Sequence, residues 1–121
     1  MKSYNDLEIY KLAYELAIRV HRFSLKLPQY ELFEEGSQVR RSSKSIAACI
    51  AEGYGRKRYK ADFIKFLTYS HASCDETIVH LKFIKDTHED TIDADFLINL
   101  LEEHDRLGAK INKFLQYVEK K

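Results

Sequence analysis

Apolar residues recur at spacings of three and four in four separate stretches of this chain, and each stretch predicts an α-helix. The first runs from about Asp6 to Leu27, with Ile9, Leu12, Leu16, Val20, Phe23 and Leu27 in one stripe. Glu8, Lys11, Glu15, Arg19, Arg22 and Lys26 share its polar face, and Glu15 and Arg19 are spaced to pair across one turn. A second apolar set, Leu7, Tyr10, Tyr14 and Ala17, lies well round the same helix and predicts a second packing partner, such as another subunit. Pro28 reads as the stop. The second stretch runs from about Glu34 to Tyr54, with Val39, Ser42, Ile46, Cys49 and Ile50 toward the core. Glu34 and Glu35 suit its dipole-favoured start, and Gly53 and Gly55 supply the stop and the turn.

The third stretch runs from about Lys60 to Asp86, with a stripe of Phe63, Phe66, Leu67, Ser70, Ser73, Cys74, Thr77, Leu81 and Ile84. Its small middle, Ser70, Ala72 and Ser73, predicts close approach of a neighbouring helix. The fourth runs from about Asp93 to Val118, where Leu97, Leu100, His104, Leu107, Ile111, Phe114 and Val118 form the seam of a bundle, after an acidic approach "EDTIDAD". Helices of about 20 to 27 residues, each roughly 30–40 Å long and joined by short connections, predict an all-α, antiparallel up-down-up-down four-helix bundle.

A chain of 121 residues is one domain's length, so residues 1–121 are read as a single bundle domain. One proline and four glycines leave long helices uninterrupted, and 45% apolar with 32% charged residues is a globular balance. The opening "MKSYNDLEIY" has no apolar core of a signal peptide, and no apolar run approaches the ~18 residues of a membrane span. A cytoplasmic, non-membrane protein is expected, with Cys49 and Cys74 as buried free thiols in a reducing compartment.

The net charge of +1 conceals segregation. Arg40 to Lys65 holds eight basic and two acidic residues, whereas Asp86 to Asp105 holds eight acidic residues and no lysine or arginine. On the second helix Arg40, Arg41 and Lys44 occupy one face; beyond its end come Arg56, Lys57, Arg58 and Lys60, then Lys65, interleaved with Tyr54 and Tyr59. Cations beside stackable rings suit a flexible polyanion, because the charges neutralise phosphates and the rings stack on bases. A purely structural reading accounts for the same residues: Arg56 and its neighbours meet a helix C-terminus, Glu52 and Arg56 form a surface pair worth ~0.3–0.5 kcal/mol, and Arg40 and Arg41 bridge to the acidic region of the same or another subunit.

Catalytic and metal patterns are missing. A di-iron bundle needs Glu-x-x-His on two helices, and none occurs among His21, His71, His80, His88 and His104. No two histidines stand four apart. His104 reads as a core-edge histidine bonded to a neighbour. "EGYGRK" lacks the spacing of a phosphate-binding glycine loop, and no segment holds a nucleophile triad. No metal, no cofactor and no catalytic residue is therefore expected, and the protein is read as non-enzymatic.

Residues 38–58, "QVRRSSKSIAACIAEGYGRKR", carry a resemblance. Gln38, Arg40, Arg41, Ser45, Ile46, Ile50, Ala51, Glu52, Gly53 and Arg56 fit the pattern of the four-helix-bundle proteins encoded in intervening sequences of bacterial 23S ribosomal RNA genes, a family that looks related to the accessory variability determinant of diversity-generating retroelements. "YNDLEIYKLA" resembles the family's opening, Pro28 and Glu31 its Pro-x-x-Glu loop, and "FIKFLTYSHASCDE" its third helix, so nearly the whole chain is covered. Cys49 stands where the family usually has asparagine, Glu34 and Glu35 where it has Gly-Leu, and Ala72 where it has glycine.

The resemblance implies a ring-like homo-oligomer, a pentamer; for the retroelement relatives it implies nucleic-acid binding through a basic surface and partnership with a reverse transcriptase. Catalysis is not implied. Arg40, Arg41, Lys44, Arg56, Lys57, Arg58 and Lys60 are the expected contacts to RNA or DNA, with Gln38, Ser45, Glu52 and Gly53 as structural motif residues. Glu52 is expected to hold Arg40, Arg41 or Arg56. The alternative is a protein-interaction scaffold, an accessory to a polymerase-type partner, with no direct nucleic-acid role.

Overall fold

The computed structural model describes residues 3–121; Met1 and Lys2, the first two residues of "MKSYNDLEIY", lie outside them. The fold is all-α, with four long helices and no strand among the described residues. After a short turn at Tyr4–Asp6, α1 spans Glu8–Ser24, α2 is a single turn at Gln29–Leu32, α3 spans Glu35–Gly55, α4 Lys60–Thr87 and α5 Ala94–Lys120.

Two boundaries differ from the expectation. Helix α1 ends at Ser24, three residues short of Leu27, where Ser24 Oγ donates to the His21 carbonyl at 2.8 Å. The chain then turns through Leu25–Leu27, and Leu27 still reaches the core. Pro28 caps the start of α2 rather than stopping α1: its backbone is still extended, with φ −54° and ψ 149°, and its missing N–H is not needed before a helix. Glu15 and Arg19 also diverge from the expected pair, because Arg19 Nη2 donates to Asn99 Oδ1 on α5 at 2.8 Å.

Helix α1 packs against α3 and α5, and α4 packs against the same two helices. One apolar cluster runs through all four, including Leu16 and Val20 of α1, Ile46 and Ile50 of α3, Leu67 and Leu81 of α4, and Leu100 and Ile111 of α5. Leu12, Cys49, Phe66, Ser73 and Phe114, expected in the core stripes, are only half-buried. His104 goes the other way. Its ring is fully buried, donating from Nδ1 to the Leu100 carbonyl at 2.7 Å and leaving Nε2 without a partner. Burial holds this imidazole below its usual range, so it is a neutral core residue rather than an edge one. Cys74 donates to the His104 carbonyl at 3.2 Å, and burial pushes its thiol up to about 12. Both cysteines are free.

The small residues of α3 and α4 explain their close approach. Ser45 Oγ lies 3.0 Å from Ser73 Oγ, Ser70 Oγ donates to the Ile46 carbonyl at 2.8 Å, and Thr77 Oγ1 donates to Ser42 Oγ at 2.9 Å. Residue numbers rise on one helix as they fall on the other. These contacts tie the two helices together through short side chains, and Ser42 Oγ also donates to the Val39 carbonyl of its own helix at 3.3 Å.

Gly53 ends this seam, and its role differs from the expected stop. Helix α3 runs through it to Gly55, and no glycine has a positive φ. A Cβ at Gly53 would meet Phe66 Cβ at 3.0 Å and Phe63 Cδ1 at 3.3 Å. Phe66 Cβ is fixed to its backbone, so α4 itself must shift. Gly53→Ala is expected to destabilise the fold by about 1–3 kcal/mol, despite alanine's better helix propensity. Denaturant melts check this; equal or greater stability would show the contact to be slack.

Candidate nucleic-acid interface

The end of α3 forces a cluster of cations outward. Gly53 draws α3 against α4, and the chain must then reverse within Arg56–Tyr59. Three backbone bonds hold the reversal: the amide of Arg56 donates to the Gly53 carbonyl at 2.9 Å, that of Lys57 to the Tyr54 carbonyl at 3.2 Å, and that of Tyr59 to the Arg56 carbonyl at 2.8 Å. Arg56, Lys57, Arg58, Tyr59 and Lys60 are all exposed on it.

Rings steady several of these cations. The Arg56 guanidinium carbon lies 4.5 Å from the Phe66 ring centre, and Lys65 Nζ approaches the same ring at 5.9 Å. Lys57 Nζ sits 4.0 Å from the Tyr54 ring centre and donates to the Tyr54 hydroxyl at 2.8 Å. Arg58 lies 5.8 Å from the Tyr59 ring, which is itself 61% exposed and so open to a stacking partner. Glu52 meets Arg56 alone of its three expected partners: Arg56 Nη1 is 4.0 Å from Glu52 Oε2 and donates to the Glu52 carbonyl at 3.1 Å.

The remaining sequence candidates separate. Arg40 is half-buried, and its guanidinium donates to Ser24 Oγ at 2.9 Å and to the Leu32 carbonyl at 2.9 Å. It clamps α3 to the end of α1 and to α2, and forms neither the expected acidic bridge nor an open phosphate contact. Arg41 and Lys44 are exposed, but twelve residues separate Lys44 from Arg56, roughly 18 Å along the helix. Lys44 instead borders an apolar groove of about 460 Å³ between α1 and α3, lined by Tyr10, Tyr14, Ile18, His21 and Ala48. Burial, then the charges of Lys44, Arg40 and Arg22, hold the His21 imidazole below its usual range. Gln38 is exposed, and Ser45 and Gly53 belong to the α3–α4 seam.

The basic end contains residues that sequence reasoning did not assign to it. Phe114 and Tyr117 of α5, and Lys121 just beyond its end, border the same cavity as Tyr54, Lys57 and Lys60. Periodicity assigns Phe114 to the bundle seam and gives Tyr117 and Lys121 no role. The available signal was an aromatic pair three apart at a helix end, followed by a lysine one turn later. Among the described residues, no cluster of histidine, cysteine or carboxylate groups fits a metal ion.

The family model described as 23S rRNA-intervening sequence protein matches residues 5–113. The chain belongs to that family. The match takes in α1, α3 and α4 whole and most of α5. Comparison with curated proteins gives no match. No helix among the described residues is long and apolar enough to cross a membrane.

Proposed function

We propose that this intervening-sequence protein is a cytoplasmic, non-enzymatic bundle that self-associates into a ring and binds RNA or other nucleic acid without sequence preference. The observation that carries the reading is the Arg56–Lys60 segment, where four exposed cations sit with exposed or stacked rings on a turn held by three backbone hydrogen bonds. Such a surface neutralises phosphates in any sequence. Repetition of the turn round a ring multiplies the contacts. An antiparallel up-down-up-down order of the four helices is supported by the pairing of Ser42 with Thr77 and of Ile46 with Ser70, and by the contacts of Arg19 with Asn99 and Glu8 with Lys110.

Self-association is supported by two apolar surfaces. The groove between α1 and α3 exposes Tyr14 and Ile18, and the outer face of α4 exposes Tyr69, Val79 and Phe83. Two different faces per chain suit a head-to-tail contact, which closes as a ring, and a pentamer is the subunit count we propose. The same apolar surfaces favour a second reading, a scaffold that docks a polymerase-type protein with no nucleic-acid role. Nuclease-treated protein should be titrated with labelled structured RNA and duplex DNA, with its mass measured by light scattering on the same sample. Binding by a defined oligomer is the expected result. A well-formed oligomer that binds neither would leave the scaffold reading standing.

A further inference from the structure

Four aromatic rings form a continuous ladder at the basic end. Tyr54 meets Phe63 edge to face at 6.4 Å between centres, Phe63 meets Phe114 at 6.0 Å, and Phe114 meets Tyr117 at 6.2 Å. An ammonium lies over each end of the ladder: Lys57 over Tyr54 at 4.0 Å and Lys121 over Tyr117 at 5.4 Å. The ladder borders a cavity of about 420 Å³, to which Lys60 adds a third cation and whose lining side chains include no carboxylate. That size falls within the ~300–1,000 Å³ of small-molecule sites.

A pocket for apolar side chains has no use for three lysines, and a phosphate site has no use for four rings. An unpaired nucleotide needs both, because its base presents a flat π-face and its phosphates carry the charge. We infer that this cavity receives an unpaired base of a single RNA strand, with Lys57, Lys60 and Lys121 on the flanking phosphates. Tyr117, 57% exposed, forms the accessible wall on which the base stacks. The inference rests on the nucleic-acid reading above and adds a preference for unpaired strands, since a base held in a duplex keeps its faces covered.

The test compares an unstructured RNA strand with an abasic sugar–phosphate strand of equal length and charge, by fluorescence anisotropy on the full chain. Wild-type protein is expected to bind the base-bearing strand about 5- to 150-fold more tightly, the range for loss of one stacked base. Tyr117→Ala should remove that advantage, leave abasic affinity unchanged and melt at nearly the wild-type temperature. Equal wild-type affinity for the two strands would overturn the pocket while leaving the basic surface standing. So would equal weakening of both strands by Tyr117→Ala. Binding of neither strand would overturn both readings. The wild-type comparison decides the matter even if the variant misfolds.

Discussion

Replacing Arg56, Lys57, Arg58 and Lys60 together by glutamate is expected to lower RNA affinity by at least about 100-fold while the bundle stays folded. For duplex nucleic acid each phosphate neutralised contributes about 0.9 to the slope of log affinity against log salt, so four contacts alone account for about 100-fold between 50 and 200 mM salt. Reversing the charges adds repulsion to that loss. The fold should tolerate the change because all four side chains are exposed. What is given up structurally is confined to the surface: the Arg56 stack on Phe66 and the Lys57 contact with Tyr54, worth about 0.5–1 kcal/mol each, the exposed Arg56–Glu52 pair, and the favourable cations at the end of α3, worth about 0.3–1 kcal/mol each. Arg40→Gln supplies the contrast. It breaks the clamp to Ser24 and Leu32, so it should lower stability and leave RNA affinity nearly unchanged. Filter binding and thermal melts on both variants check this. Loss of RNA affinity in Arg40→Gln at intact stability would place the interface elsewhere.

Glu31→Ala is expected to destabilise the protein by about 3 kcal/mol. Glu31 Oε2 accepts from His88 Nε2 at 2.7 Å, with only 13% and 4% of the two side chains exposed. Its other oxygen accepts the Glu35 amide at 3.2 Å, at the first residue of α3. Removing it leaves a buried imidazole nitrogen and a helix-start amide unpartnered, worth about 1–3 and about 1 kcal/mol respectively. The His88 hydrogen bond holds the Glu31 carboxyl below its ordinary range. The contribution of that ionised carboxyl is therefore complete above the unfolded value of about 4.3 and is lost as pH falls through the lower folded value. The stability gap between wild type and Glu31→Gln should thus shrink as pH falls below about 4.3. A gap that stays unchanged through that acid range would assign the effect to a group other than Glu31. Neighbouring contacts of the same kind, His80 with Glu35 at 2.7 Å and with Glu76 at 3.3 Å, are unchanged in both proteins and cancel in the difference.

The four long helices were legible because their apolar spacing is regular and only Pro28 and a few glycines interrupt it. Ile46, Leu81, Leu100 and Ile111 fall where periodicity places them. What escaped depends on contacts between distant residues. Arg40 carries the same charge as Arg41, and only the tertiary position of Ser24 and Leu32 makes one a clamp and leaves the other in solvent. Gly53 looks like a helix stop locally; the rings it accommodates lie on the next helix. Leu27 keeps the apolar rhythm of α1 after the helix has ended, which concealed the turn before α2. The basic turn was visible as a run of charges, but its partner α5 was not, because Tyr117 and Lys121 reach it only after folding.

The most direct measurement is the affinity of the nuclease-treated protein for duplex and single-stranded RNA across a salt series. The basic turn predicts a log–log slope steeper than about −3 for the wild-type protein on duplex, reduced by about 0.9 for each engaged cation of Arg56, Lys57, Arg58 and Lys60 that is removed. An affinity indifferent to salt, or a slope unchanged by removing those cations, would contradict it.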